Sequence, residues 1–210
     1  MKFKIGITCR ISSAENYNEK RDLLAFDWAD YLHSFKDQLQ WCMIPNSISS
    51  LSEFLNDWKL DGFILSGGDD INFRSKRDIL ERQIISNAIR KKMPLLGVCR
   101  GAQIISSYYG CSLKTSIDHV GINHNLILSE KAQSMFEVDT LEVNSFHKNV
   151  ISNDQFSRRL EKFAQDEEGN IEMFKVIDNP MWGIMWHPER VGPDLQKKVN
   201  NRIIRELFCR

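Results

Sequence analysis

The chain has no C-x-x-C pair, and its five cysteines form an odd set, which excludes both a disulfide framework and a cysteine-based zinc knuckle. Cys9, Cys42, Cys99, Cys111 and Cys209 are therefore expected to be reduced thiols, most of them acting as small apolar residues or lying at the surface. Charge of one sign is also missing: Lys plus Arg total 28 and Asp plus Glu total 28. With no long run of either sign, the sequence offers no footprint for nucleic acid and no polybasic membrane patch. No stretch reaches the roughly 20 apolar residues of a membrane span, and the apolar run in "MKFKIGITCR" is too short and interrupted for a signal peptide. These absences lead to the expectation of a cytoplasmic protein whose partner is a small molecule or another protein, with a homodimer left open. At 210 residues, with no repeat, low-complexity tract or linker, the chain reads as one domain over 1–210.

What is present is an alternation of short Ile/Val/Phe-rich runs with longer amphipathic stretches, the pattern of an α/β fold around a parallel sheet. "KFKIGIT" reads as a first strand, Leu23 to Phe35 as a helix, and "LQWCMIP" as a strand that Pro45 ends. Leu51 to Trp58 reads as a short helix and "DGFILSGG" as a strand opening onto two glycines. Arg77 to Lys91 carries the three-and-four apolar spacing of a helix with one buried face. "MPLLGVC" is the next buried strand. The second half turns strand-like in "HNLILSE", "TLEVNSFH", "RLEKFAQDEEGNIEMFKVID" and "MWGIMWH", with a hairpin turn at Glu168-Gly169-Asn170. Asp194 to Phe208 reads as a closing helix.

Within "PLLGVCRGAQ" the strand must yield abruptly to a helix starting near Arg100, with Cys99 in the turn. Gly97 and Gly101 remove the side chains that would obstruct so sharp a reversal. This is the G-x-nucleophile-x-G elbow with cysteine in the nucleophile position. There the helix N-terminus favours a thiolate, and the N–H of Arg100 can help hold an oxyanion. By itself G-x-C-x-G is equally a packing cysteine between two turn glycines.

A base decides between these readings, and five histidines are available. His33 belongs to the first amphipathic helix as a surface residue, and His119 and His124 flank a loop without a local pattern. His187 differs. In "GIMWHPER" an apolar strand delivers an imidazole to its end, Pro188 stops the strand, and Glu189 can accept the other ring N–H.

Together, "GVCRGAQ" and "MWHPE" resemble the class I glutamine amidotransferase superfamily across almost the whole chain. "ILSGGDD", the "RDILE" of Arg77 to Glu81, Arg100 and "VNSFH" are similar to its γ-glutamyl hydrolase branch, peptidase family C26. The resemblance implies a flavodoxin-like three-layer sandwich, with a mostly parallel central sheet and an added antiparallel portion. It also implies hydrolysis of a small-molecule γ-glutamyl amide through a cysteine thioester. Cys99 would be nucleophile, His187 general base and acid, and Glu189 its orienting carboxylate. Gly68 and Arg100 would supply oxyanion N–H groups. Gln103, Asn144, Ser145, Phe146 and His147 would meet the glutamyl substrate. No metal or organic cofactor is required for this chemistry.

Several of these residues keep a second reading. Gly67 and Gly68 also make a strand-ending turn, Gln103 also suits a solvated first helical turn, and His147, Asp69 and Asp70 stand equally well against substrate or water. "RDILE" reads as an ion-paired helix start. One departure stands out: only "INFRSK" separates "GGDD" from "RDILE", where C26 hydrolases carry a longer loop over the site. A shorter rim implies an open pocket and a bulky leaving group. In its small size and its "MWHPE" ending the chain also resembles hydrolases of bacterial capsular phosphoramidate synthesis, which release glutamate from γ-glutamyl-CDP-amidate. The alternatives are another γ-glutamyl amine, of the γ-glutamyl-γ-aminobutyrate type, and a glutaminase subunit delivering ammonia to a separate synthetase.

Overall fold

The computed structural model describes residues 2–116 and 119–209. In chain order, β1 (Phe3–Thr8) leads into a hairpin of β2 (Arg10–Ser13) and β3 (Lys20–Leu23). α1 (Phe26–His33), β4 (Leu39–Ile44), α2 (Leu51–Trp58), β5 (Gly62–Leu65), α3 (Lys76–Lys91), β6 (Leu95–Val98) and α4 (Arg100–Tyr108) follow. The second half comprises β7 (Leu113–Thr115), β8 (Val120–Leu128), α5 (Glu130–Phe136), β9 (Leu141–Phe146), β10 (Asn149–Ile151), β11 (Leu160–Gln165), β12 (Ile171–Val176), β13 (Met181–Ile184) and α6 (Asp194–Phe208).

The sheet follows the order β4-β1-β5-β6-β13-β12-β11-β8-β9. From β4 to β13 all neighbours are parallel. Beyond β13 they are antiparallel. The uninterrupted apolar runs mark the parallel half: β5, β6 and β13 are buried at every position, as strands covered on both faces must be. Alternate residues feed two cores. Ile64, Leu96 and Val98 enter the one that α1 and α6 cover, while Phe63, Leu65 and Leu95 enter the one that α3 and α4 cover. The result is the three-layer α/β sandwich with an antiparallel extension. Helix starts are sequence-encoded: Ser50 accepts from the Glu53 N–H and Ser75 from that of Asp78, each capping an orphan donor.

One helix is shorter than expected. Leu23 is taken into the hairpin, where it pairs with Arg10, so the helix anticipated from Leu23 begins only at Phe26. α5, β7 and β10 are short elements that the apolar patterning did not reveal.

Candidate active site

β6 hands the chain to α4 through a single residue. Cys99 adopts φ 52° and ψ −108°, a conformation costing a non-glycine residue about 1–3 kcal/mol. The glycines on either side permit it by close approach: a Cβ on Gly101 would overlap the Leu65 carbonyl, and one on Gly97 the backbone of Gly101. The strained residue is anchored by its own N–H, which donates to the Ile184 carbonyl at 2.8 Å. That carbonyl belongs to β13, which lies beside β6 with Val98 opposite Ile184.

The chain leaving β13 carries the imidazole. Asn144, on β9, clamps the backbone of His187 by accepting from its N–H at 2.9 Å and donating to its carbonyl at 3.0 Å. Gln196 of α6 donates to the same carbonyl. Glu189 Oε1 lies 2.7 Å from His187 Nδ1. That contact turns the other ring nitrogen toward its second hydrogen-bond partner, Cys99. Burial alone would lower the imidazole pKa, but these hydrogen bonds and the Glu189 charge push it up to about 9. At neutral pH the ring is therefore held as imidazolium between the Glu189 carboxylate and the Cys99 side chain.

Beneath the elbow lies a buried charge assembly. Arg77 pairs with Glu81 at 2.9 Å, and Arg100 pairs with both Asp78 and Glu81, all four side chains being at most 2% exposed. Burial opposes ionisation of Glu81, yet the two guanidiniums and the Thr8 hydroxyl hold its carboxyl below the usual range. Arg77 also donates to the Ser66 carbonyl at 2.7 Å and the Gly67 carbonyl at 3.1 Å, fixing the glycine turn. Gly68 has φ +132°, and a Cβ there would press on Arg10 and Arg77. "RDILE" is thus an ion-paired helix start, and the side chain of Arg100 faces this assembly.

Gly67, Gly68, Cys99, His187 and Glu189 line a cavity of about 250 Å³ together with Phe146, Trp28, Arg10 and Arg190. Of the five residues expected to meet substrate, Phe146 is the one lining it. Gln103 donates its amide to the Asn149 carbonyl, which leaves its oxygen as an acceptor. Asn144 is occupied by the His187 backbone. Ser145 donates to the His119 carbonyl, and the ring of His147 stacks on that of His119 at 5.0 Å, away from the cavity. Asp69 accepts from the Ile11 N–H and Asp70 from Asn149. Both also line a neighbouring cavity of about 610 Å³ with Lys20, Arg21 and Lys76. Sequence reasoning missed Arg10 and Arg190. Arg10 opens β2, two residues after β1 ends, and Arg190 directly follows Glu189. Arg190 lies over the Phe146 ring at 4.3 Å.

A thiol on a strained elbow, next to an imidazole carried just past the end of the adjacent strand in a mostly parallel sheet, belongs to the class I glutamine amidotransferase fold. Solved structures agree. A putative GMP synthase component from Thermoplasma acidophilum superposes with TM-score 0.75 at 18% identity, covering 99% of this chain and 94% of that one. A glutamine amidotransferase from Thermotoga maritima gives 0.65, also at 18% identity, with 99% and 84% coverage. Within that fold, the peptidase C26 family model matches residues 5–189, and the chain belongs to this family of hydrolases. Among curated relatives, a γ-glutamyl-CDP-amidate hydrolase from Campylobacter jejuni is 33% identical across 97% of this chain and 96% of its own length. A component of the glutamine-hydrolysing GMP synthase from Methanococcus aeolicus is 27% identical across 86% and 91%.

Proposed function

We propose that the protein hydrolyses the γ-glutamyl amide of γ-glutamyl-CDP-amidate, with Cys99, His187 and Glu189 as its catalytic triad. The carrying observation is the Cys99–His187–Glu189 relay opening into a cavity rimmed by Arg10 and Arg190. The near-full-length similarity to the Campylobacter jejuni hydrolase supports the substrate. The Cys99 thiolate attacks the γ-carbonyl, and the oxyanion is received by the N–H groups of Gly68 and Arg100. As the C–N bond breaks, His187 gives its proton to the leaving nitrogen, releasing CDP-amidate and leaving a glutamyl thioester. Water then attacks the thioester carbonyl, His187 takes its proton, and glutamate departs as the thiolate is restored.

The adjoining cavity supports a bulky polar leaving group, because Lys20, Arg21 and Lys76 line it beside Asp22, Asp69 and Asp70 and offer donors to phosphate oxygens. Glutamate release is to be measured with γ-glutamyl-CDP-amidate, γ-glutamyl-γ-aminobutyrate and glutamine. The first is expected to be the best substrate, with Cys99→Ala lowering kcat by about 10⁵–10⁶-fold. Turnover of none of the three, or full activity in Cys99→Ala, would overturn the reading. The GMP synthase relative favours a second reading, a glutaminase that serves a separate synthetase. In that case glutamine alone would be hydrolysed, and faster with the synthetase added.

A further inference from the structure

Behind the strands that aim His187, three imidazoles and two carboxylates converge. His119 precedes β8, His124 lies in β8, His147 follows β9, Glu172 lies in β12, and Asp166 lies in the turn between β11 and β12. Their side chains are at most 5% exposed, except His124 at 14%. Such burial demands partners, yet both oxygens of Glu172, both ring nitrogens of His147, Nδ1 of His119 and Nε2 of His124 make no well-formed hydrogen bond, the His124–Glu172 contact being a loose one at 3.6 Å. The spacings are informative. His119 Nε2 lies 3.4 Å from Asp166 Oδ2, His124 Nε2 3.6 Å from Glu172 Oε2, and His147 Nε2 3.5 Å from Glu172 Oε1. Charge-assisted hydrogen bonds are about 2.7–2.9 Å long. Two ligands on a tetrahedral ion at about 2.0–2.1 Å, however, stand about 3.4 Å apart. One donor atom each from His119, His124 and Glu172 fall within 4.8 Å of one another.

We propose that His119, His124 and Glu172 bind a divalent first-row transition ion such as zinc. Two imidazoles and a carboxylate without a thiolate suit such borderline ions. Asp166, 3.4 Å from His119 Nε2, is held apart from this set by Asn170, whose backbone N–H and side-chain amide both donate to its carboxylate. A cavity of about 300 Å³, lined by His119, His124 and Asp166 and rimmed by Glu167 and Glu168, gives a cation an acidic approach. The ion's role is structural. It would tie β8 to β12 behind the catalytic strand, since the Glu172 carbonyl accepts from the Met185 N–H and the His119 carbonyl from the His147 N–H.

The full chain carrying Cys99→Ser, which removes the active-site thiol, is stripped with chelator, equilibrated with zinc, gel-filtered and assayed by mass spectrometry. About one ion per chain is expected, together with the intense visible absorption of tetrahedral cobalt when Co²⁺ replaces Zn²⁺. His124→Ala and Glu172→Gln should retain less than a tenth as much zinc, whereas His33→Ala retains it fully. Equal retention by all these variants overturns the site. Should the two ligand variants fail to fold, the Cys99→Ser chain itself decides. Absence of either the tetrahedral cobalt spectrum or a zinc-dependent rise in Tm overturns the proposal, and both together sustain it.

Discussion

Two buried polar assemblies flank the Cys99–His187 pair, and they differ in how they are completed. On the nucleophile side, Arg77, Asp78, Glu81 and Arg100 balance two positive groups against two negative ones within hydrogen-bonding reach. On the imidazole side, His119, His124, His147, Glu172 and Asp166 approach one another only at 3.4–3.6 Å. Chain folding alone closes the first around Glu81, both of whose oxygens meet guanidinium N–H groups, while the proposed cation would close the second from outside. Both occupy dry interior, where an ion without a counter-charge costs several kcal/mol. The contrast teaches that a buried carboxylate is read from its distances: Glu81 is a partner in a closed set, whereas Glu172 is a donor in an open one.

The sharpest way to break the comparison is Glu81→Ala. Two guanidiniums would be left buried without their shared anion, with an expected loss of about 3–5 kcal/mol in urea unfolding. Next is pH, which acts at the junction of the two assemblies. His187 is held at about 9 in the fold against an ordinary value near 6.5, so its contribution of about 3 kcal/mol is complete below pH ~6.5. It is lost as pH rises through about 9. Unfolding midpoints and kcat/KM should fall together on that alkaline limb, and Glu189→Gln should move the limb toward neutral pH.

A somewhat smaller effect separates the assemblies by ligand. Zinc at about a hundred times its Kd should stabilise the chain by about 2.7 kcal/mol. Glu172→Gln should abolish that gain, while substitution in the arginine assembly leaves it intact. Asn144→Ala removes the clamp on the His187 backbone, so kcat should fall about tenfold or more with KM little changed. The smallest effect is at the rim. Arg190→Gln should raise KM for the nucleotide substrate about tenfold, one charge-assisted hydrogen bond of about 1.5 kcal/mol, and leave γ-glutamyl p-nitroanilide turnover unaltered.

The parallel half of the fold was legible because β5, β6 and β13 are buried at every position and α2 and α3 have capped starts. α2 and α6 fall where their periodicity places them. The hairpin before α1 was hidden: "RISS" and "KRDL" are mostly polar and largely exposed, and they pair chiefly through backbone groups. In the site, Cys99, His187 and Glu189 were readable since each sits within a few residues of a strand end. The role of Asn144 was not, because its partners are backbone atoms 43 residues away in sequence. The gathering of His119, His124 and His147 depends on the antiparallel register of β8 and β9, which pairs Asn123 with Asn144 and His124 with Val143. Nothing in the sequence around any one of these histidines announces that register.

The bond from the Cys99 N–H to the Ile184 carbonyl has a kinetic consequence. An amide protected by the central pair of strands exchanges with deuterium only when β6 and β13 separate, and that separation is global unfolding. The Cys99 amide should thus be among the slowest to exchange in the chain. Inactivation by denaturant should coincide with loss of the fold, while the hairpin at Arg10–Leu23 exchanges long before.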